Sequence, residues 1–262
     1  MTSCPIFPAV EASCKPAMAR SDAAARFRHL ARTHRLWRHP FVERCRAGKL
    51  TLPQVRVLAS QMYHFCHEFP CFLATALAAS RDEATRMVIA ENLWEELGEG
   101  DPQRAHATLF RRFTRALGIS DEDLANSPVL PETRALIDAY LALGNRGCGL
   151  GLVGALCHAS EGIVASLYTQ IQAGLMSALH FDKEALVFFD LHIHVDDGHA
   201  DHLESVLLPM LRTPKDEELV AQAIGAALDA RCRFFDGVLR ASCTTDMDLG
   251  LGSDASAVAT GI

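Results

Sequence analysis

The sequence predicts an all-α protein, a single-domain helical bundle of about eight helices. Apolar residues recur at spacings of three and four through most of the chain, and no run of alternating β-branched residues appears. Alanine and leucine are abundant while tyrosine occurs three times, a balance that favours helix over strand. The periodic segments are joined by short connections that carry helix-start and helix-stop residues. With 262 residues, 49% of them hydrophobic, the chain has ample material for one large core.

In chain order, a first helix is expected over about 22–36. "HPFVERCRAG" reads as a short helix stopped by Gly48. "TLPQVRVLASQMYHFCHEF" begins with Thr51 as N-cap and Pro53 in the first turn. Pro70 is expected to kink or restart that helix, which runs to about residue 80. "RDEATRMVIAENLWEEL" comes next and ends at Gly98. In "DPQRAHATLFRRFTRALG", Asp101 reads as the N-cap, Pro102 as the first helical position and Gly118 as the stop. Further helices are expected over about 131–143, 148–176, 182–212 and 215–241. Residues 1–20, with three prolines, and the small, polar residues 243–262 read as flexible tails around a domain at 21–242.

Composition narrows the function. The net charge is −7 with scattered basic residues, which argues against nucleic acid as a partner. The longest purely apolar run, about "GLGLVGALC", is far short of the roughly 20 residues of a membrane span. No signal peptide is recognisable at the N-terminus. The nine cysteines are dispersed with no CxxC, which fits free thiols in a reducing cytoplasm. A cytoplasmic location is therefore expected.

The densest chemistry lies in "HIHVDDGHADH", residues 192–202, with four of the twelve histidines. On a helix, His192, Asp196 and His199 fall at i, i+4 and i+7 and share one face. The apolar stripe Val187, Phe188, Leu191 and Val195 runs beside them, so the face points partly inward. Two histidines and a carboxylate from one face can hold a divalent ion, typically non-haem iron. An exposed, solvated helix face is the plain alternative. Two other segments offer ligands. Glu96 and His106 flank a helix break, with Glu95 competing for the role of Glu96; alone, these acids could be ordinary surface carboxylates. Glu161 lies in an apolar helix, where a carboxylate is rarely buried without a partner. His158, one turn earlier, could be a ligand, a hydrogen-bond partner or a polar core residue. Gly149, Gly151 and Gly154 match G-x-G-x-x-G, but no strand precedes them. Close helix packing, or room for a substrate, explains them better than a nucleotide.

Together these residues resemble the haem-oxygenase-like diiron oxidases and oxygenases, relatives in fold of the thiamin-degrading (TenA) and pyrroloquinoline-quinone-forming (PqqC) helical enzymes. Order and approximate spacing match across residues 22–241. The resemblance implies a haem-oxygenase-like bundle that holds no haem. It implies instead two Fe(II)/Fe(III) ions, with O2 as co-substrate, held by Glu96, His106, Glu161, His192, Asp196 and His199. Glu161 would bridge, and Glu68, Glu95 or His158 would serve as a further ligand or support one. It implies an oxidoreductase acting on an amino acid or a derivative of one, by N-oxygenation, desaturation, oxidative decarboxylation or C–C cleavage, in natural-product biosynthesis. Three carboxylates against two Fe(II) leave residual positive charge that favours an anionic substrate group. Pocket candidates are Tyr63, His64, His67, Phe69, Trp94, His158 and Tyr168, with Arg146 or Arg231 to clamp a carboxylate. A small, amino-acid-like molecule is the expected partner, without nucleic acid or membrane; bundles with broad apolar faces often dimerise, so a homodimer is one expected state. Two alternatives stand beside this one. A metal-independent enzyme on the same scaffold would need Cys66 or Cys157 as nucleophile. A non-catalytic helical binding protein would need neither.

Overall fold

The computed structural model describes residues 17–144 and 149–248, and the side chains of 21–144, 149–194 and 198–243. Among the described residues there are eleven α-helices and no strand, so the fold class is as predicted. The helix number exceeds about eight because one short helix and one interruption are not visible as periodicity.

Helix α1 spans Ala17–Thr33, and a 3-10 turn at Arg35–Arg38 comes after it, in place of one longer helix. Helix α2 is Pro40–Arg46 and α3 is Leu52–Ala79. The α3 start is as read: Thr51 accepts a hydrogen bond from the Gln54 amide, and Gln54 accepts one from the Thr51 amide. Pro70 neither ends nor restarts α3, which is continuous through it. Helix α4 is Glu83–Glu96, capped by Asp82, and α5 is His106–Ala116. Asp101 and Pro102 do not open α5. The backbone from Gly98 to Gly100 has positive φ at every residue and turns away from helix, delaying the start to His106. Helix α6, Asp121–Asn126, has no counterpart in the apolar periodicity; a capping box between Ser120 and Asp123 makes this single turn and a half. Helix α7 is Pro131–Gly144.

The centre of the molecule is one long apolar segment in three parts: α8 (Leu150–Leu156), a π-helical turn (Cys157–Glu161) and α9 (Gly162–Ala178). It is long and apolar enough to cross a membrane by composition, yet 83% of its most apolar window is buried inside the protein itself. It is the core helix. Helix α10 (Val187–Met210) packs along α9, and α11 (Pro214–Asp248) packs on α7 and α8. Gly154 explains the α8–α11 approach: a Cβ there would lie 2.7 Å from Val220. The glycines of "GLGLVG" thus serve helix packing. The six described cysteines are unpaired. Helices α1 and α11 reach into the stretches read as tails; the rest of those stretches, and Arg146, lie outside the described residues.

Candidate metal centre

Four elements bring buried polar groups to one small cavity, with about 30 Å³ of free space. Glu96 is the last residue of α4 and His106 the first of α5, both about 5% exposed (5% and 6%). The loop between them folds back because Gly98 sits at φ +89°, where a Cβ would lie 2.3 Å from the Asp101 carbonyl oxygen. His192 enters from α10, and Glu161 closes the π-helical turn. The extra residue of a π turn rotates the next side chains relative to a regular helix, which is why such turns recur at functional sites. Phe65, Cys66, Phe69, Val164, Tyr168 and Phe188 supply the apolar wall.

The donor atoms are arranged for an ion better than for one another. Nδ1 of His106 lies 2.9 Å from Oε2 of Glu96, but poorly aligned for a hydrogen bond. The atoms are close, but the ring N–H direction is wrong. Two ligands of one ion, with bonds of about 2.1 Å meeting near a right angle, stand about 3 Å apart in this way. Nδ1 of His192 is 2.7 Å from the Phe188 carbonyl oxygen. A carbonyl only accepts, so Nδ1 carries the proton and Nε2 keeps its lone pair. One ligand atom from each of Glu96, His106 and His192 lies within 4.8 Å of the others. The residues present therefore fit a divalent ion.

The second half of the cluster is Glu161 and His199. Oε1 of Glu161 accepts from the Asn92 side chain at 3.4 Å, and Oε2 is 3.9 Å from Nδ1 of His199. Nε2 of His199 donates to the Glu95 carboxylate in a very short contact. Glu95 is thus placed behind a histidine, and Glu96 is the one that lines the cavity. Asp196 occupies a helical position one turn after His192, and its side chain lies outside the described residues.

Burial sets the electrostatics. It would raise the Glu96 carboxyl, but the imidazoles of His106, His192 and His199 outweigh it and hold Glu96 below its ordinary range. Burial would lower His106, but the Glu96 carboxylate wins and raises it. Burial, then the neighbouring His106, push His192 down to about 4, so its ring is neutral at pH 7. The Cys66 thiol, in the cavity wall, is pushed up to about 12 by burial, which makes it a poor nucleophile. Cys157 is raised well above its ordinary value for the same reason.

Other residues singled out in the sequence stand elsewhere. Glu68 is half-buried beside His67, 3.6 Å away, and His67 is exposed. The Tyr63 hydroxyl accepts from Arg111 at 3.1 Å, and His64 pairs with Ser127 at 2.9 Å. Trp94 is 55% exposed. None of these lines the cavity, whereas Phe69, Tyr168 and Arg231 do. Phe65, Val164 and Phe188, read in the sequence as core or not singled out, complete the wall. No sequence signal separates them from ordinary core residues.

His158 faces away from the cavity. It lies 3.8 Å from Glu204 in a cleft with Arg28 and Cys157, and its ring packs on Phe27. Burial first, then Arg28, lower it to about 4. The unfolded chain takes up this proton near pH 6.5 and the folded protein does not until about pH 4. Stability is therefore full above pH 6.5 and falls as pH drops towards 4, by about 3 kcal/mol. Urea unfolding of the protein and of His158→Gln between pH 7 and 4 should show a shallower acid loss in the variant. Identical slopes would mean that His158 titrates normally.

An all-α bundle with a buried cluster of carboxylates and imidazoles defines a metal-binding enzyme of haem-oxygenase-like fold. The sequence pattern of the iron-containing redox enzymes matches residues 56–232, and the chain belongs to that family. It is an oxidoreductase of that family, and iron is its metal. The chain is 29% identical to the 4-chloro-allylglycine synthase of Streptantibioticus cattleyicolor over 206 residues, 79% of this chain and 78% of the relative. It is 27% identical to the 4-aminobenzoate synthase of Chlamydia pneumoniae over 208 residues, 78% of this chain and 89% of the relative. Both names describe synthases of small molecules. In structure it is similar to a CADD-like protein of Nostoc punctiforme, with a TM-score of 0.71 and 18% identity over 88% of this chain and 98% of that one. A TenA homologue of Pseudomonas syringae matches with a TM-score of 0.67 and 18% identity, over 92% of this chain and 100% of that one. These likenesses show the shared fold.

Proposed function

We propose that this protein binds two irons and uses O2 to oxidise an amino acid or an amino-acid-derived metabolite. The observation that carries the reading is the convergence of Glu96, His106 and His192 on one buried point. Nδ1 of His106 and Oε2 of Glu96 lie 2.9 Å apart there. Glu96, His106 and His192 would hold one ion; His199, with Asp196, would hold the other. Glu161 lies between the two sets, lining the cavity with the first and facing His199 of the second, which supports a bridging role. Bound iron supplies the redox electrons and the O2 chemistry.

The chain's own residues do the rest. The Phe188 carbonyl holds the His192 ring in the tautomer that leaves Nε2 available. Glu95 orients His199 in the same way from its other side. His106 gives up its proton to bind metal, so affinity is expected to fall with falling pH. Phe65, Phe69, Val164 and Phe188 exclude bulk water from the reacting centre. The relatives' products, an unsaturated chlorinated amino acid and an aminobenzoate, support a substrate that carries amine and carboxylate groups.

The test is a substrate screen on protein loaded anaerobically with Fe(II), scored by the rate of reaction on addition of O2. About two irons per chain are expected, with a clear acceleration by one amine- and carboxylate-bearing compound. Absence of O2 uptake with every such compound, together with unchanged iron binding in the ligand variants, would sink the reading.

A further inference from the structure

The cavity beside the proposed metal centre contains an arginine with no ion-pair partner among the described residues. Arg231 comes from α11 and is 6% exposed. Its Nε is buried and makes no hydrogen bond. One terminal nitrogen reaches the Ala159 carbonyl oxygen at 3.4 Å and Ser160 Oγ at 3.5 Å, both at the long limit. Its guanidinium carbon stands 4.9 Å from the centre of the Phe65 ring. Among the described residues, no aspartate or glutamate forms an ion pair with it. Five exposed arginines, Arg26, Arg35, Arg104, Arg115 and Arg240, each have a carboxylate partner. An uncompensated buried charge costs several kcal/mol, so its presence points to a counter-ion that arrives from outside.

We infer that Arg231 is the binding site for a monoanionic carboxylate, the acid end of the substrate. This rests on the reading of the cavity as the substrate site. The Nε edge of a guanidinium presents two parallel donors that match the two oxygens of a carboxylate. One negative charge compensates one positive charge. A phosphate dianion would add a surplus beside Glu96 and Glu161, which line the same cavity. The neighbouring wall of Phe65, Phe69, Val164 and Tyr168 suits a short carbon chain. Ser160 cannot fill the role of counter-ion: its hydroxyl is neutral and held by Tyr140 at 2.7 Å.

The experiment measures binding of propionate and of its neutral isostere propionamide to the full-length protein, at constant ionic strength and pH 7. Both metal-free and anaerobic Fe(II)-loaded forms are used. The metal-free form isolates Arg231, since carboxylates also bind iron. Propionate should bind at least tenfold more tightly than propionamide, and Arg231→Met should remove that preference. Without ligand, Arg231→Met should melt no lower than the parent, because it discards an unpaired charge. Equal binding of the two probes to the parent overturns the inference without any variant. So does a marked fall in the melting temperature of Arg231→Met, which would make Arg231 a support for the Ala159–Ser160 turn. A preference that survives the substitution also overturns it. The carboxylate preference of metal-free protein stands or falls separately from O2 uptake by the iron-loaded form. Failure here and failure of the oxidase reading are therefore distinguishable.

Discussion

His192→Ala protein, loaded anaerobically with Fe(II), is expected to retain at most one iron per chain, against about two expected for the parent on the proposed reading. Its affinity should fall by more than about 100-fold, since loss of even an outer partner of a ligand costs 10–100-fold. The reason is geometric. The His192 ring is fixed by its bond to the Phe188 carbonyl and by the His106 ring, whose centre is 4.6 Å away. Alanine removes the donor atom, and no other described side chain is placed to replace it within the Glu96–His106 pair. O2-dependent turnover should disappear with the metal. Iron analysis and O2 uptake check this directly. A variant that binds iron as well as the parent would remove His192 from the site.

Glu161→Leu should separate function from stability, moving them in opposite directions. Glu161 is 3% exposed, and the hydrogen bond it accepts from Asn92 is long at 3.4 Å. Glu96 places a second carboxylate on the same cavity. Removing a buried, poorly satisfied carboxylate that shares its cavity with Glu96 relieves a desolvation cost and a like-charge repulsion. The metal-free variant should therefore melt several degrees higher than the parent, while iron binding is lost. Glu161→Gln should lose the metal without gaining stability, since it stays polar. Calorimetry of metal-free protein reads the first effect and iron analysis the second. A Leu variant that melts lower than the parent would mean that Glu161 is a structural partner of Asn92.

The division between legible and illegible features has a physical basis. The spacing of three and four that defines a helix is local, so the all-α class and most helices are legible in the sequence, as is the Thr51 cap. Pro70 misleads because its missing N–H can be tolerated within a long helix whose neighbours hold it in place. Asp101 and Pro102 mislead because a cap-and-proline signature says where a helix can start. The positive φ values at Gly98, Glu99 and Gly100 decide where the chain is free to turn into one. Glu95 and Glu96 are adjacent and chemically identical. About 100° of helix rotation separates them, and the docking of α4 against α10 turns one towards His199 and the other towards the cavity. Residue type points to the α3 histidines as pocket groups, but type does not report direction: His64 meets Ser127 and His67 faces outward.

By itself the sequence determined that this chain is helical. It also carried the family's order of acids and histidines. Those are properties of composition and of neighbours within a few residues. The tertiary structure alone decided that Glu96, His106, Glu161 and His192 share one cavity, drawn from segments up to 96 residues apart along the chain. It alone showed His158 facing Glu204 in a separate cleft, and Arg231 buried with no ion-pair partner among the described residues. Convergence of this kind depends on how helices dock, and docking is set by long-range packing of side chains that no local pattern records.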